Sequence, residues 1–185
     1  MLWVPWYLGA ISLPSALPPV AWHMHELLFG YVPAIVAGFL LTAVPNWTGR
    51  LPVVGWPLAL LFGLWVLGRL VIGGSALLSP GIVAALSLLF PAALAGVVAR
   101  EIIKGKNWRN LKVLGGVTAL FIAQALFHLE IRLTGNSVYA HHLAVAATLV
   151  LIMVIGGRVV PSFTTNWLKR ENPGPQPVPF NSFDK

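Results

Sequence analysis

The sequence predicts an all-α integral membrane protein with about five transmembrane helices and, ahead of them, the truncated remnant of a sixth. Composition is the first reason: the chain is 57% hydrophobic and only 9% charged, whereas a soluble domain carries about a quarter charged residues. Segment length is the second, because apolar runs of about 20 residues match the hydrocarbon core of a bilayer. The third is pattern. These runs do not alternate polar and apolar residues as barrel strands do, and backbone polar groups inside lipid then find partners only within helices.

Taken in order, residues 1–20 are apolar but interrupted by Pro5, Pro14, Pro18 and Pro19, and read as the end of a truncated helix and an outer loop. No basic stretch precedes them as a signal peptide requires. The five spans are expected near Ala21 to Val44, Gly55 to Ile72, Gly81 to Ala99, Lys112 to Leu133 and Val138 to Val160, forming one bundle over residues 21–160. Residues 161–185 read as a cytoplasmic exit segment and a linker, with four prolines between Asn172 and Pro179. Both ends suggest one half of a longer protein, whose C-terminal half is then an expected partner. Cysteine is absent, which excludes disulfides and thiolate ligands.

Basic residues fix the expected topology. Arg50 follows the first span, Arg100, Lys104, Lys106, Arg109 and Lys112 surround the third loop, and Arg158, Lys169 and Arg170 lie at the end of the fifth. With five helices all three regions share one side, cytoplasmic by the positive-inside rule, while the connections Gly73 to Pro80 and Thr134 to Ser137 carry no charge. The net charge of +7 is thus a topology signal, and nucleic acid is not an expected partner; membrane lipid is.

All five histidines then fall at the opposite, outer end. His23 and His25 open the first span, His141 and His142 open the fifth, and His128 lies about one turn before the end of the fourth. Glu26, Arg69, Glu130 and Arg132 join them, and ionisable groups within spans usually face a bundle interior or cavity. Imidazole is a good ligand for copper, zinc and haem iron, so a metal or haem site is the leading expectation. His23 and His25 are about 200° apart on a helix and the adjacent His141 and His142 about 100°, so each pair is expected to serve two partners unless the helix start is unwound. Glu26 shares a face with His23 and can orient its ring, Arg132 lies one turn from His128 and suits a haem propionate, and Glu130 either relays a proton or pairs with Arg132. The tryptophans suit interfacial belts, and Gly30, Gly38, Gly63 and Gly68 suit close helix packing.

The first and fifth spans also look alike. At an offset of 116 residues His25 falls on His141, Leu27 on Leu143, Val44 on Val160, Pro45 on Pro161 and Thr48 on Thr164. Both helices run the same way with three between them, the pattern of a parallel four-helix repeat about an axis along the membrane normal.

The segments Trp22-His23-Met24-His25-Glu26-Leu27-Leu28-Phe29-Gly30, Ala37-Gly38-Phe39 through Gly49-Arg50, and Gly157-Arg158-Val159-Val160-Pro161-Ser162-Phe163-Thr164 resemble the NnrS family. The resemblance implies a bacterial inner-membrane protein of about a dozen helices, containing haem and copper and tied to the nitric oxide response, with this chain as roughly the first half. His23, His25, His141 and His142 are the motif positions it carries over. The four-helix unit with outer histidines is also similar in architecture to subunit I of the haem-copper oxidases and nitric oxide reductases. Together these readings assign haem, of the b type, to His23, His25, His128 and Arg132, copper to His25, His141 and His142, and supporting roles to Glu26, Glu130 and Arg69. The expected ligand is a diatomic such as nitric oxide; whether the protein reduces it, binds it or delivers a metal is left open. The rival expectation is a proton- or metal-ion-coupled transporter.

Overall fold

The structure, a computed structural model, describes residues 2–171. Five helical spans are long and apolar enough to cross a membrane, Pro19–Thr48, Trp56–Gly73, Pro80–Lys104, Trp108–Thr134 and Tyr139–Glu171. Among the described residues there is no strand. The fold is therefore the expected all-α, multi-pass membrane architecture.

The chain begins with a short helix, α1 (Trp3–Tyr7), that buries none of its residues. It is held by aromatic contact, Trp3 stacking on His23 at 4.3 Å and Trp6 meeting Trp22 edge-on at 5.5 Å. The segment between α1 and the first span is tied across the bundle: Ser15 Oγ donates to the Ile72 carbonyl (3.2 Å), and the Ser75 hydroxyl accepts from the Ala16 amide (2.9 Å).

The first span is three pieces end to end, α2 (Pro19–His25), a π-wound turn (Glu26–Tyr31) and α3 (Val32–Thr48). Proline at the first helical position starts it, since the amide that proline lacks would be unpaired there anyway. Gly49 stops it in the left-handed region (φ 68°), its amide closing on the Pro45 carbonyl at 2.8 Å. The helix runs past the expected end at Val44, because Pro45 forfeits only one backbone bond and Thr48 and Asn46 hydrogen-bond back to Val44 and Thr42. Helix α4 (Trp56–Gly73) follows.

The third span, expected as one helix, is two: α5 (Pro80–Ser87) and α6 (Leu89–Lys104). Pro91 is the cause. It has no amide to give the carbonyl four residues back, that of Ser87, and its ring crowds that carbonyl, so the helix breaks at Leu88.

Helices α7 (Leu111–Thr134) and α8 (Tyr139–Glu171) form the tightest pair. Gly116 and Ala123 on α7 and Ala140, Ala144 and Ala147 on α8 are all buried, and a Cβ on Gly116 would lie 2.6 Å from the Leu151 side chain. In lipid, where no hydrophobic drive brings helices together, such small residues permit the close backbone contact that does. Helix α8 continues through Pro161 to Glu171, past the expected exit at Val160. The remainder of the expected linker, 172–185, lies outside the described residues.

Polar groups gather at the two ends of the bundle. At the basic end Arg50 Nε pairs with Glu101 Oε2 at 2.5 Å, and Asn107 Nδ2 donates to the Trp47 carbonyl. Arg158 bonds Asn110 and the Arg109 carbonyl while lying 5.4 Å over the Trp47 ring. This clamp joins α8, at Arg158, and the ends of α3 and α6 to the loop before α7. The histidines lie at the other end.

Candidate functional site at the histidine end

Five residues form the centre. His25 ends α2 and is fully buried; its ring lies 4.9 Å from Phe127, 5.3 Å from Phe29 and 5.7 Å from His128, centre to centre. Phe127 in turn meets His141 at 5.8 Å. Helices α2, α7 and α8 thus bring three of the five histidines around one phenylalanine. The two histidine-bearing helices related by the 116-residue offset do face a common place.

The surroundings of each imidazole differ. His25 Nδ1 donates to Glu26 Oε1 (3.3 Å), and its Nε2 is buried with no hydrogen-bond partner among the described residues. His128 Nε2 bonds Ser87 Oγ at 2.8 Å. That hydroxyl also donates to the Ala84 carbonyl (3.1 Å), and satisfying both bonds with one hydroxyl proton requires His128 to donate through Nε2. Neighbouring imidazoles are therefore held in opposite tautomers. His141 turns back onto the start of its own helix, donating to the Ser137 carbonyl with Ser137 Oγ 3.1 Å away. His142 is exposed, its Nδ1 donating to the Val138 carbonyl at 2.7 Å, and His23 stacks on Trp3 away from the centre.

The break at Pro91 positions His128. The carbonyl left free on Ser87 accepts from Gln124 Nε2 (3.1 Å), and Gln124 sits one turn before His128 on α7. Gln124 and His128 therefore grip one residue, by its backbone and its hydroxyl. Gln124 is buried, and its Oε1 has no partner among the described residues.

The π-wound turn shapes the other flank. Winding to i→i+5 releases carbonyls from the regular ladder, and here side chains of α4 take them: Trp65 Nε1 donates to the Gly30 carbonyl at 3.0 Å and Arg69 Nη2 reaches the Phe29 carbonyl at 3.5 Å. Arg69 Nη1 pairs with Glu26 Oε1 at 2.8 Å. The guanidinium occupies the space that a side chain at residue 30 would fill, so glycine there is a requirement of contact. Gly68 backs onto the Ser87 backbone as expected of a packing glycine, whereas among the described residues Gly38 and Gly63 have nothing within 4 Å of a would-be Cβ.

Several expectations need correcting. Glu26 serves His25 rather than His23, because Arg69 on α4 holds the carboxylate beside His25 while the His23 ring is taken by stacking on Trp3. Glu130 does not pair with Arg132: its two oxygens accept from the amides of Tyr139 and Ala140 (both 3.1 Å), capping α8 across the turn at Gly135. Arg132 is exposed and has no side-chain partner among the described residues. His25, His141 and His142 do not assemble as a three-ligand set, and among the described residues no group of three potential ligands lies close enough to hold a metal ion. What the donor set fits is a group bound through one or two imidazoles. Ser87, Gln124 and the π-wound turn went unread in the sequence, although Pro91 spaced four residues after Ser87 was a usable signal.

Comparison with known proteins gives one family. No curated protein and no solved structure matches the chain. The family described as NnrS protein matches over residues 1–185, the whole sequence. A helical multi-pass membrane bundle with its histidines at one end, this chain belongs to the NnrS family.

Proposed function

We propose that the protein is a haem- and copper-binding protein of the bacterial inner membrane that acts in nitric oxide metabolism or resistance, with its metal-binding histidines toward the periplasm. The observation that carries the reading is the lone nitrogen of His25: a fully buried imidazole whose Nε2 has no hydrogen-bond partner among the described residues. An unpartnered polar atom buried in an apolar bundle costs free energy on the order of 1–3 kcal/mol, and coordination to a metal removes that cost. Family membership supports the connection with nitric oxide, and the basic residues collected at the opposite end support the periplasmic placement.

His25 is the ligand in this reading, with His128 the nearest second imidazole. Phe29 and Phe127 exclude water around it. A bound haem iron or copper ion supplies an open coordination position and one-electron chemistry. Nitric oxide, small and uncharged, reaches such a position through lipid and needs no aqueous channel. The transporter alternative requires no chromophore.

The test is spectroscopic. The full chain purified in detergent is expected to show a haem absorption band that shifts on adding nitric oxide, together with bound copper by elemental analysis. Colourless, metal-free protein from haem- and copper-replete cells contradicts the proposal.

A further inference from the structure

The structure assigns to Glu26 and Arg69 the role of positioning residues that fix His25 in the Nδ1–H tautomer and so present its Nε2 lone pair to a metal ion. The assignment deepens the reading above and rests on it for the identity of the ligand, but not for the tautomer. Glu26 Oε1 receives two donors, Arg69 Nη1 at 2.8 Å and His25 Nδ1 at 3.3 Å. A carboxylate paired with a guanidinium offers acceptors only, so the ring nitrogen facing it carries the proton and the other is left with a lone pair. That other nitrogen is the buried Nε2, unpartnered among the described residues.

Arg69 is itself fixed by the π-wound turn. The guanidinium lies in the cleft at Gly30, contacts the Phe29 carbonyl, and stands one turn after Trp65, whose indole takes the Gly30 carbonyl. Most of these contacts come from backbone atoms of the turn that carries Glu26. The winding, the arginine and the carboxylate therefore form one unit, through which α4 acts on His25. Metal-ligating histidines are commonly held in this way, by a carboxylate on the nitrogen that does not coordinate.

The test reads the tautomer directly. Nitrogen NMR of the full chain labelled at histidine ring nitrogens, in detergent and stripped of metal, separates the two tautomers by chemical shift, with His25→Asn identifying the His25 signals. The expected result is a single Nδ1–H tautomer in the unsubstituted chain, its persistence in Glu26→Gln, whose amide oxygen still accepts, and a mixture of tautomers in Glu26→Ala and Arg69→Met. Adding copper(I), which is diamagnetic, is expected to move the Nε2 signal of the unsubstituted chain and to bind at least tenfold more weakly to Glu26→Ala. A His25 ring protonated at Nε2 in the unsubstituted chain overturns the assignment, even if the variants fail to fold. Retention of one Nδ1–H tautomer in folded Glu26→Ala and Arg69→Met overturns it as well. An Nδ1–H ring that depends on Glu26 but ignores copper(I) and haem leaves the assignment standing and counts against the proposed function alone.

Discussion

The first span and α8 share landmarks and differ in winding. Each carries a histidine twenty residues before a proline, and each leads from the histidine end to the basic end. In α8 the helix is regular, and His141 spends its Nδ1 on the start of its own helix. In the first span the residues after His25 wind into a π turn, α4 grips that turn through Trp65 and Arg69, and His25 is left with a buried free nitrogen. Depth in the membrane thus follows from spacing along the chain, whereas what an imidazole at that depth does follows from its neighbours.

The comparison can be broken most forcefully at residue 30. Gly30→Val is expected to expel the Arg69 guanidinium and leave Glu26 with His25 alone, costing about 3–5 kcal/mol as the breaking of a buried pair does. Unfolding in a detergent titration measures this, and a cost below 1 kcal/mol shows that the π turn does not depend on the arginine. On the α8 side the corresponding support is Glu130. Glu130→Ala removes the acceptor of two first-turn amides and is expected to destabilise by about 1 kcal/mol, with amide exchange increased at Tyr139 and Ala140 and unchanged around His25. The smallest effect is expected at Arg132, exposed and unbonded among the described residues, where Arg132→Ala stays within about 0.5 kcal/mol of the unsubstituted chain. A larger loss there shows that an unseen contact restrains the end of α7.

Much of this was legible beforehand. Hydropathy gave five spans because lipid demands about 20 apolar residues whatever the rest of the fold does. The charge bias and the matching positions of His25 and His141 placed three histidines near one another, since the rise per residue ties position in a helix to depth. Less was legible where partners are distant in sequence. Nothing local to Glu130 announces that it caps the following helix, and nothing local to Glu26 announces Arg69, 43 residues away. The break at Leu88 was visible in principle, because Pro91 cannot donate to Ser87. Its consequence, a free carbonyl for Gln124, required knowing that α7 lies alongside. Helical spacing placed Glu26 on the face of His23, but contacts from other elements, Arg69 on the carboxylate and Trp3 on the His23 ring, decide which imidazole it meets.

The central claim is that His25, and not the exposed end of α8, holds the metal. Metal analysis and visible spectra of His25→Ala and His142→Ala, made in the full chain and purified side by side, test it most directly. The account predicts that His25→Ala loses bound metal and colour while His142→Ala keeps both. Full occupancy in folded His25→Ala, with loss in His142→Ala, would contradict it.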